Sequence, residues 1–357
     1  MLPGLVNAHT HLELHAFHDA APTADFAQWI ATIRRLREEA AAGTYEDGAR
    51  AGLRETWRFG TTTVGDTGVS GATVRVAGEL GGRGLYYHEL LGPDAASASA
   101  TLEGTRGEVE RLMREAPSGW RVGISPHAPY TVSAELAVGA ARWARRAALP
   151  VATHLAESRA EQRFLTEAAG PFAERWRELG LPVPRGIRSA VYWAEVHGLL
   201  RPGFLAVHAV FADARDLHLL AERGAAVSVC PRSNERHGHG APPLAAMLDA
   251  GLAVGLGTDS AASVGRLDVL AEARTARALA RLSAEQALQL ATLGGARALG
   301  LEQSIGSLEV GKWADFCVVR GAAASADQAA AVLERLLGPA GCVIISTYVA
   351  GRRVYDS

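Results

Sequence analysis

The sequence predicts an α/β chain folded as a (β/α)8 TIM barrel, with a small, incomplete β-sandwich appendage at its C-terminus. Three observations predict it. Eight short apolar runs recur along the chain, each followed by a stretch of helical periodicity, which is the pattern of a parallel barrel. The residues best suited to chemistry stand directly after those runs, where buried parallel strands end. The length, 357 residues, fits one barrel with a minor appendage better than two equal domains. The expected division is residues 1–301 for the barrel and 302–357 for the appendage.

The opening run, PGLVNAHTH, ends in His9-Thr10-His11. Residues 26–42 and 45–59 then have helical spacing, with Trp29, Ile33 and Leu36 on one face. Residues 61–64 form the second run, ending at Gly65-Asp66, and residues 84–88 form the third. The fourth, residues 122–125, leads into PHAPYTVS, where Ser133 is placed to cap a helix running through Ala148. Runs at 151–153, 205–207, 226–229 and 253–256 precede His154, His208, CPRSN and GTDS. Residues 171–203 break the alternation. Their Trp176, Pro182, Pro184, Tyr192 and Trp193 predict extra helices and loop between the fifth and sixth strands, over the barrel mouth. Beyond Leu301, residues 306–319 and 343–355 read as strands of the appendage, and the Ala-rich segment 322–331 as helix.

The formal charge of −2 offers no whole-protein attraction for nucleic acid or an anionic membrane. No apolar stretch approaches the roughly 20 residues of a spanning helix. The short opening run leads straight into the His pair, so it does not read as a signal peptide. Cys230, Cys317 and Cys342 are widely spaced in apolar runs and read as core residues of a cytoplasmic protein. The expected partner is a small-molecule substrate, and a homodimer is left open.

In a strand, side chains at i and i+2 point the same way, so His9 and His11 form one imidazole pair. His154 and Asp259, each after its own run, bring the set to four groups suited to a divalent metal, zinc or iron, with a position left for water. Such a metal lowers the pKa of its water from 15.7 towards about 7. Glu157, three residues after His154, can lean over the mouth and shuttle a proton. His208 is either a fifth ligand or a group that holds the attacking water. His127 after the fourth strand and Arg232 and Asn234 after the seventh are candidates for substrate contact, and Asn234 could equally shape its turn. Selectivity is expected from the loops around Glu13, Trp29, His127 and Arg232 and from the 171–203 insertion. His15, His18, His88, His197, His218, His237 and His239 read as structural or solvated, the last two on a mobile loop.

The motifs PGLVNAHTHLE, SPHAPYTVS, THLAES, VHAVF, CPRSN and GTDSAAS, in this order, resemble the amidohydrolase superfamily and its mononuclear cytosine-deaminase and chlorohydrolase-like branch. The resemblance spans almost the whole chain. It implies one zinc or iron held by His9, His11, His154 and Asp259, Glu157 as proton shuttle, His208 polarising the attacking water and Asp259 accepting its proton. Binuclear members bridge two metals with a carboxylated lysine on the fourth strand, or a carboxylate in its place. The single lysine, Lys312, lies after the eighth strand, and residues 122–125 hold no Lys, Asp or Glu, so a lysine-bridged pair is excluded. Relatives carry some tens of residues before the first barrel strand, half of a small β-sandwich that this sequence does not display.

HLEL followed by FAQWIATIRRLREE is similar to the deaminases of aminodeoxyfutalosine, an adenine-bearing menaquinone intermediate. S-adenosylhomocysteine, methylthioadenosine and guanine deaminases and triazine hydrolases share most of the catalytic set. The expected activity is hydrolytic deamination of an aromatic amine on a purine-like ring. The rivals are C–N or C–Cl hydrolysis of a triazine, pyrimidine or amide substrate, and a barrel that binds metal without turnover.

Overall fold

The computed structural model describes residues 1–20, 25–320, 326–338 and 343–357. Nine parallel strand segments form one sheet: β2 Leu5–His11, β3 Thr61–Gly68, β4 Arg83–Leu90, β5 Trp120–Pro126, β6 Val151–Leu155, β7 Phe204–His208, β8 Ala226–Val229, β9 Ala253–Leu256 and β10 Asp259–Ser260. Each pairs with the next from β2 to β9, and β10 pairs with β2, so the order returns to its start. β9 and β10 are two halves of one strand broken at residues 257–258, which makes eight barrel staves and bears out the TIM-barrel reading.

The break is a built seam. The Asn7 amide donates to Thr258 Oγ1 at 2.8 Å and accepts from the Thr258 backbone N–H at 3.0 Å. At Gly257 the chain passes so close to His9 that a Cβ would lie 2.8 Å from the His9 carbonyl oxygen, so only glycine fits.

The helices lie where periodicity placed them, with ends shifted or shortened by one to four residues. The first spans Phe26–Glu38 and the second Thr44–Arg58. Ser133 caps Ala134–Arg146 by accepting from the Leu136 amide. The 171–203 insertion supplies helices Pro171–Glu178 and Ala190–Val196 between β6 and β7.

A separate antiparallel sheet joins β1 (Leu2–Pro3), β11 (Phe316–Val319), β12 (Ile344–Val349) and β13 (Arg352–Asp356) in that order. Of the run 306–319 only its end is strand, because Gly306 and Gly311 adopt φ of 89° and 95° and turn the chain. The run 343–355 is a hairpin, folded back at Ala350-Gly351, where both φ values are positive as a tight two-residue turn requires. Ala326–Leu336 is helical; residues 322–325 of the Ala-rich segment, and Cys342, lie outside the described residues.

Candidate metal centre and active-site cleft

The carboxyl ends of the strands open into a cleft of about 400 Å³. His9 and His11 reach it from the end of β2, where a register shift against β3 between Asn7 and Thr10 inserts one extra residue. Such a bulge re-aims side chains at a sheet end. His154 comes from β6, His208 from the last residue of β7 and Asp259 from the start of β10. His208 and Asp259 sit at φ of 72° and 61°. A non-glycine residue there costs about 1–3 kcal/mol, a strain that clusters at functional positions.

Hydrogen-bond chemistry tests whether these residues suit a metal. His11 Nδ1 lies 2.9 Å from the Thr67 carbonyl oxygen, and His154 Nδ1 lies 3.1 Å from that of His127. A carbonyl only accepts, so both Nδ1 atoms carry the proton and both Nε2 atoms present lone pairs. Yet those two Nε2 atoms are 3.3 Å apart, and His154 Nε2 is 3.3 Å from His9 Nε2. Asp259 Oδ1 stands 3.6 Å from His11 Nε2 and 3.8 Å from His9 Nε2. The His11 and His154 lone pairs, opposed at 3.3 Å, repel, and a cation between them turns repulsion into coordination. Ligands about 2.0–2.1 Å from a tetrahedral ion are about 3.3–3.4 Å from one another. The four sequence-predicted groups therefore meet, and they fit a divalent cation such as zinc. Burial lowers the His154 imidazole to a pKa of about 4, which keeps its ring neutral, as a ligand must be. Burial alone would raise the Asp259 carboxyl, but His11, His208 and the Ser233 hydroxyl, 2.6 Å from Oδ2, hold it below the usual carboxylate range.

Glu157 stands beside this set. Its Oε1 is 3.5 Å from His208 Nε2 and 3.7 Å from His239 Nε2. Burial, reinforced by the Asp259 and Glu161 carboxylates, pushes its pKa well up, towards a protonated acid. His208 gives its Nδ1 proton to Asn234 Oδ1 at 3.0 Å, so a bare Nε2 faces the cleft. His9, His154 and His208 also lie close enough to share an ion, so both sequence readings of His208 fit its place.

The remaining predicted residues divide. His127 and Trp29 line the cleft; His127 Nε2 is 3.8 Å from Glu89 Oε1, and burial lowers its ring to about 3. Glu13 is not brought there. Its oxygens accept from the Val69 and Ser70 amides and the Ser70 hydroxyl, so it braces the loop after β3. Arg232 also points elsewhere, its guanidinium on the carbonyls of Val264 and Arg266 and 3.5 Å from Glu272. Asn234 serves His208. Among the described residues, nothing from 171–203 lines the cleft. Phe172 instead stacks on Tyr130, a residue of the cleft wall, with ring centroids 3.9 Å apart. The cover is the helix Phe26–Glu38, whose Phe26, Trp29, Ile30 and Ile33 form the apolar wall.

Sequence reasoning missed Glu89 and the His237/His239 pair. Burial would raise Glu89, but the Arg37 guanidinium, 3.2 Å away, and the nearby imidazoles hold it at about 2. It directly follows the third run, the same signal that singled out His154. His237 and His239 are buried, not solvated: His237 lines the cleft, and Phe26 packs edge-on against His239 at 4.5 Å. Two histidines around one glycine, close after CPRSN, were the available sign.

A model of the amidohydrolase family matches residues 1–354. A 5-methylthioadenosine/S-adenosylhomocysteine deaminase of Moorella thermoacetica is 34% identical, over 89% of this chain and 72% of that protein. An adenosine deaminase from Xanthomonas campestris, solved with bound zinc, superposes with a TM-score of 0.80 at 28% identity, over 99% of this chain and 79% of that one. The aminofutalosine deaminase of Helicobacter pylori shares the fold, with a TM-score of 0.83 at 23% identity, over 99% and 86% of the two chains.

Proposed function

The chain belongs to the amidohydrolase family, and on that premise we propose that it is a metal-dependent hydrolytic deaminase of an adenine-bearing nucleoside. The observation that carries this reading is the pairing of two features within one cleft. One is the convergence of His9, His11, His154 and Asp259, with the Nε2 lone pairs of His11 and His154 facing each other, which suits one cation, zinc before iron. The other is Glu157, a buried carboxyl with no Arg or Lys in ion-pair reach among the described residues. A bound divalent cation supplies the chemistry of an activated water at neutral pH.

The chain's own groups do the proton work. Glu157, held as the acid, protonates the ring nitrogen beside the amino-bearing carbon and makes that carbon electrophilic. His208 accepts a hydrogen bond from the attacking water through its bare Nε2, and Asp259 takes the proton that the water loses. Glu157, left as a carboxylate, carries that proton from Asp259 to the departing amine, and it regains its own when the added hydroxyl gives up its remaining proton as the new carbonyl forms. The ring gains an oxygen, and the amino group leaves as ammonia. The apolar wall of Phe26, Trp29, Ile30 and Ile33 suits a planar base and a substituent of low polarity. His127 and the ionised Glu89 offer hydrogen bonds to the sugar side. Within the class, aminodeoxyfutalosine is the substrate we put first, on the HLEL…FAQW segment that supplies this wall.

The test is ammonia release by the zinc-loaded protein from aminodeoxyfutalosine, 5-methylthioadenosine, S-adenosylhomocysteine and adenosine, side by side. Turnover of one or more is expected. Silence on all four, with turnover of a chlorotriazine instead, would contradict the assignment.

A further inference from the structure

We propose that Glu161 is a positioning residue, whose carboxylate clamps the backbone at Glu157 and so aims the Glu157 side chain into the cleft. The inference rests on the deaminase reading for its effect on turnover, and on geometry alone for the clamp.

β6 ends at Leu155, and the next residue, Ala156, turns with φ of 53°, a left-handed conformation that alanine adopts only under constraint. That bend throws Glu157 out of the strand line and over the mouth. Two sets of bonds hold it. On the carbonyl side, the Ala209 N–H donates to Leu155 O at 3.0 Å and the Phe211 N–H to Ala156 O at 2.8 Å, both from the segment after β7. On the amide side, the Glu157 N–H donates to Glu161 Oε2 at 2.7 Å.

The arrangement is a variant of helix capping. Ser158 caps the helix Arg159–Glu167 and accepts from the Glu161 amide at 3.2 Å. In the usual box, the glutamate three positions on bonds the amide of the cap residue itself. Here it reaches one residue further back, to the amide of Glu157. Glu161 is fully buried, and burial pushes its pKa up to about 7 despite the amides of residues 156–158 that surround it. An exposed side chain would cap this helix without that desolvation. A buried carboxylate at this point makes sense where the orientation of the preceding residue matters.

Glu161→Leu and Glu161→Ala test the idea, with Ser158→Ala as the control that removes the cap and spares the clamp. In both Glu161 variants kcat is expected to fall about 10- to 100-fold, the scale of a misplaced catalytic group. KM should stay within about threefold and bound zinc per chain should be unchanged. In Ser158→Ala the melting temperature should drop while kcat stays within about threefold. Hydrogen exchange at the Glu157 amide should be slow in the wild type, although it lies in a bend, and much faster in either Glu161 variant.

The clamp is overturned if kcat of the Glu161 variants stays near wild type, or if KM and zinc content change along with it. Fast exchange of the Glu157 amide in the wild type overturns it as well, whether or not a variant folds. A wild-type protein that releases ammonia from no nucleoside defeats the deaminase reading instead, and the exchange data still decide the clamp.

Discussion

Two buried polar clusters, one at each end of the barrel, are satisfied in opposite ways. At the end where strands begin, Arg83 opens β4 and meets Asp315, just before β11, at 2.7 Å. Asp315 Oδ1 also accepts from the Ala350 N–H at 2.6 Å, its backbone carbonyl accepts from the Gly4 N–H at 2.9 Å, and the Arg83 guanidinium lies 4.8 Å over the Trp313 ring. Within this pair, charge and hydrogen-bonding capacity are matched, and it fastens the small sheet to the barrel. At the mouth, the His11 and His154 lone pairs confront one another at 3.3 Å, and His237 Nδ1 and His239 Nε2 are buried with no hydrogen-bond partner among the described residues. A folded chain leaves buried groups unmatched where something else supplies the match. The ion pair satisfies itself, whereas the mouth histidines suit a cation and a substrate.

The largest expected effect lies at the mouth. Glu157→Gln should reduce turnover by about 100- to 10,000-fold, the range for losing a general acid–base group, with metal content unchanged. Steady-state ammonia release with parallel elemental analysis checks both, and near wild-type turnover would remove Glu157 from the mechanism. The opposite end should respond in stability alone. Asp315→Ala strands the Arg83 charge in a buried site, which should cost about 3–5 kcal/mol in urea denaturation. Turnover per folded molecule should hold, and a selective loss of activity would tie that end to catalysis.

Glu272 lies between these extremes and gives a pH signature. Burial raises its carboxyl to about 8, against about 4.5 for an ordinary glutamate. The folded state thus binds a proton that the unfolded chain has released between those values. Its contribution is complete below about 4.5 and is lost as pH rises through about 8. The melting temperature of the wild type should fall between pH 6 and 9, and Glu272→Gln should flatten that fall. An identical slope in the two proteins would place the titration elsewhere. The smallest effect is expected at Arg232. With its guanidinium on backbone carbonyls, Arg232→Lys should change KM by less than about threefold, and a tenfold rise would return it to the substrate.

Much of this was legible in sequence, for physical reasons that also mark where the reading failed. Buried parallel strands write themselves as short apolar runs, and the residue ending each run must face the mouth. That rule located His9, His11, His154, His208 and Asp259 without any knowledge of distance. It would have located Glu89 too, had a carboxylate after a strand been weighed like a histidine. What letters cannot convey is which way a loop side chain turns. Glu13 and Arg232 stand beside the site in sequence and are spent on backbone groups. The 171–203 segment has aromatic content like a cover, but its Phe172 stacks on Tyr130 without lining the cleft, and the helix of residues 26–38 does the covering. The clamp at Glu161 was equally invisible, because a glutamate in a first helical turn has the same spelling whether it caps or aims.

The central claim is that the opposed lone pairs at the mouth exist to hold a cation. The most direct measurement is metal per chain, by elemental analysis after dialysis against trace zinc, in the wild type and in the His11→Ala/His154→Ala double variant. About one equivalent in the wild type and a trace in the folded double variant is the predicted result. Equal metal in both, or none in a wild type that still releases ammonia, would contradict it.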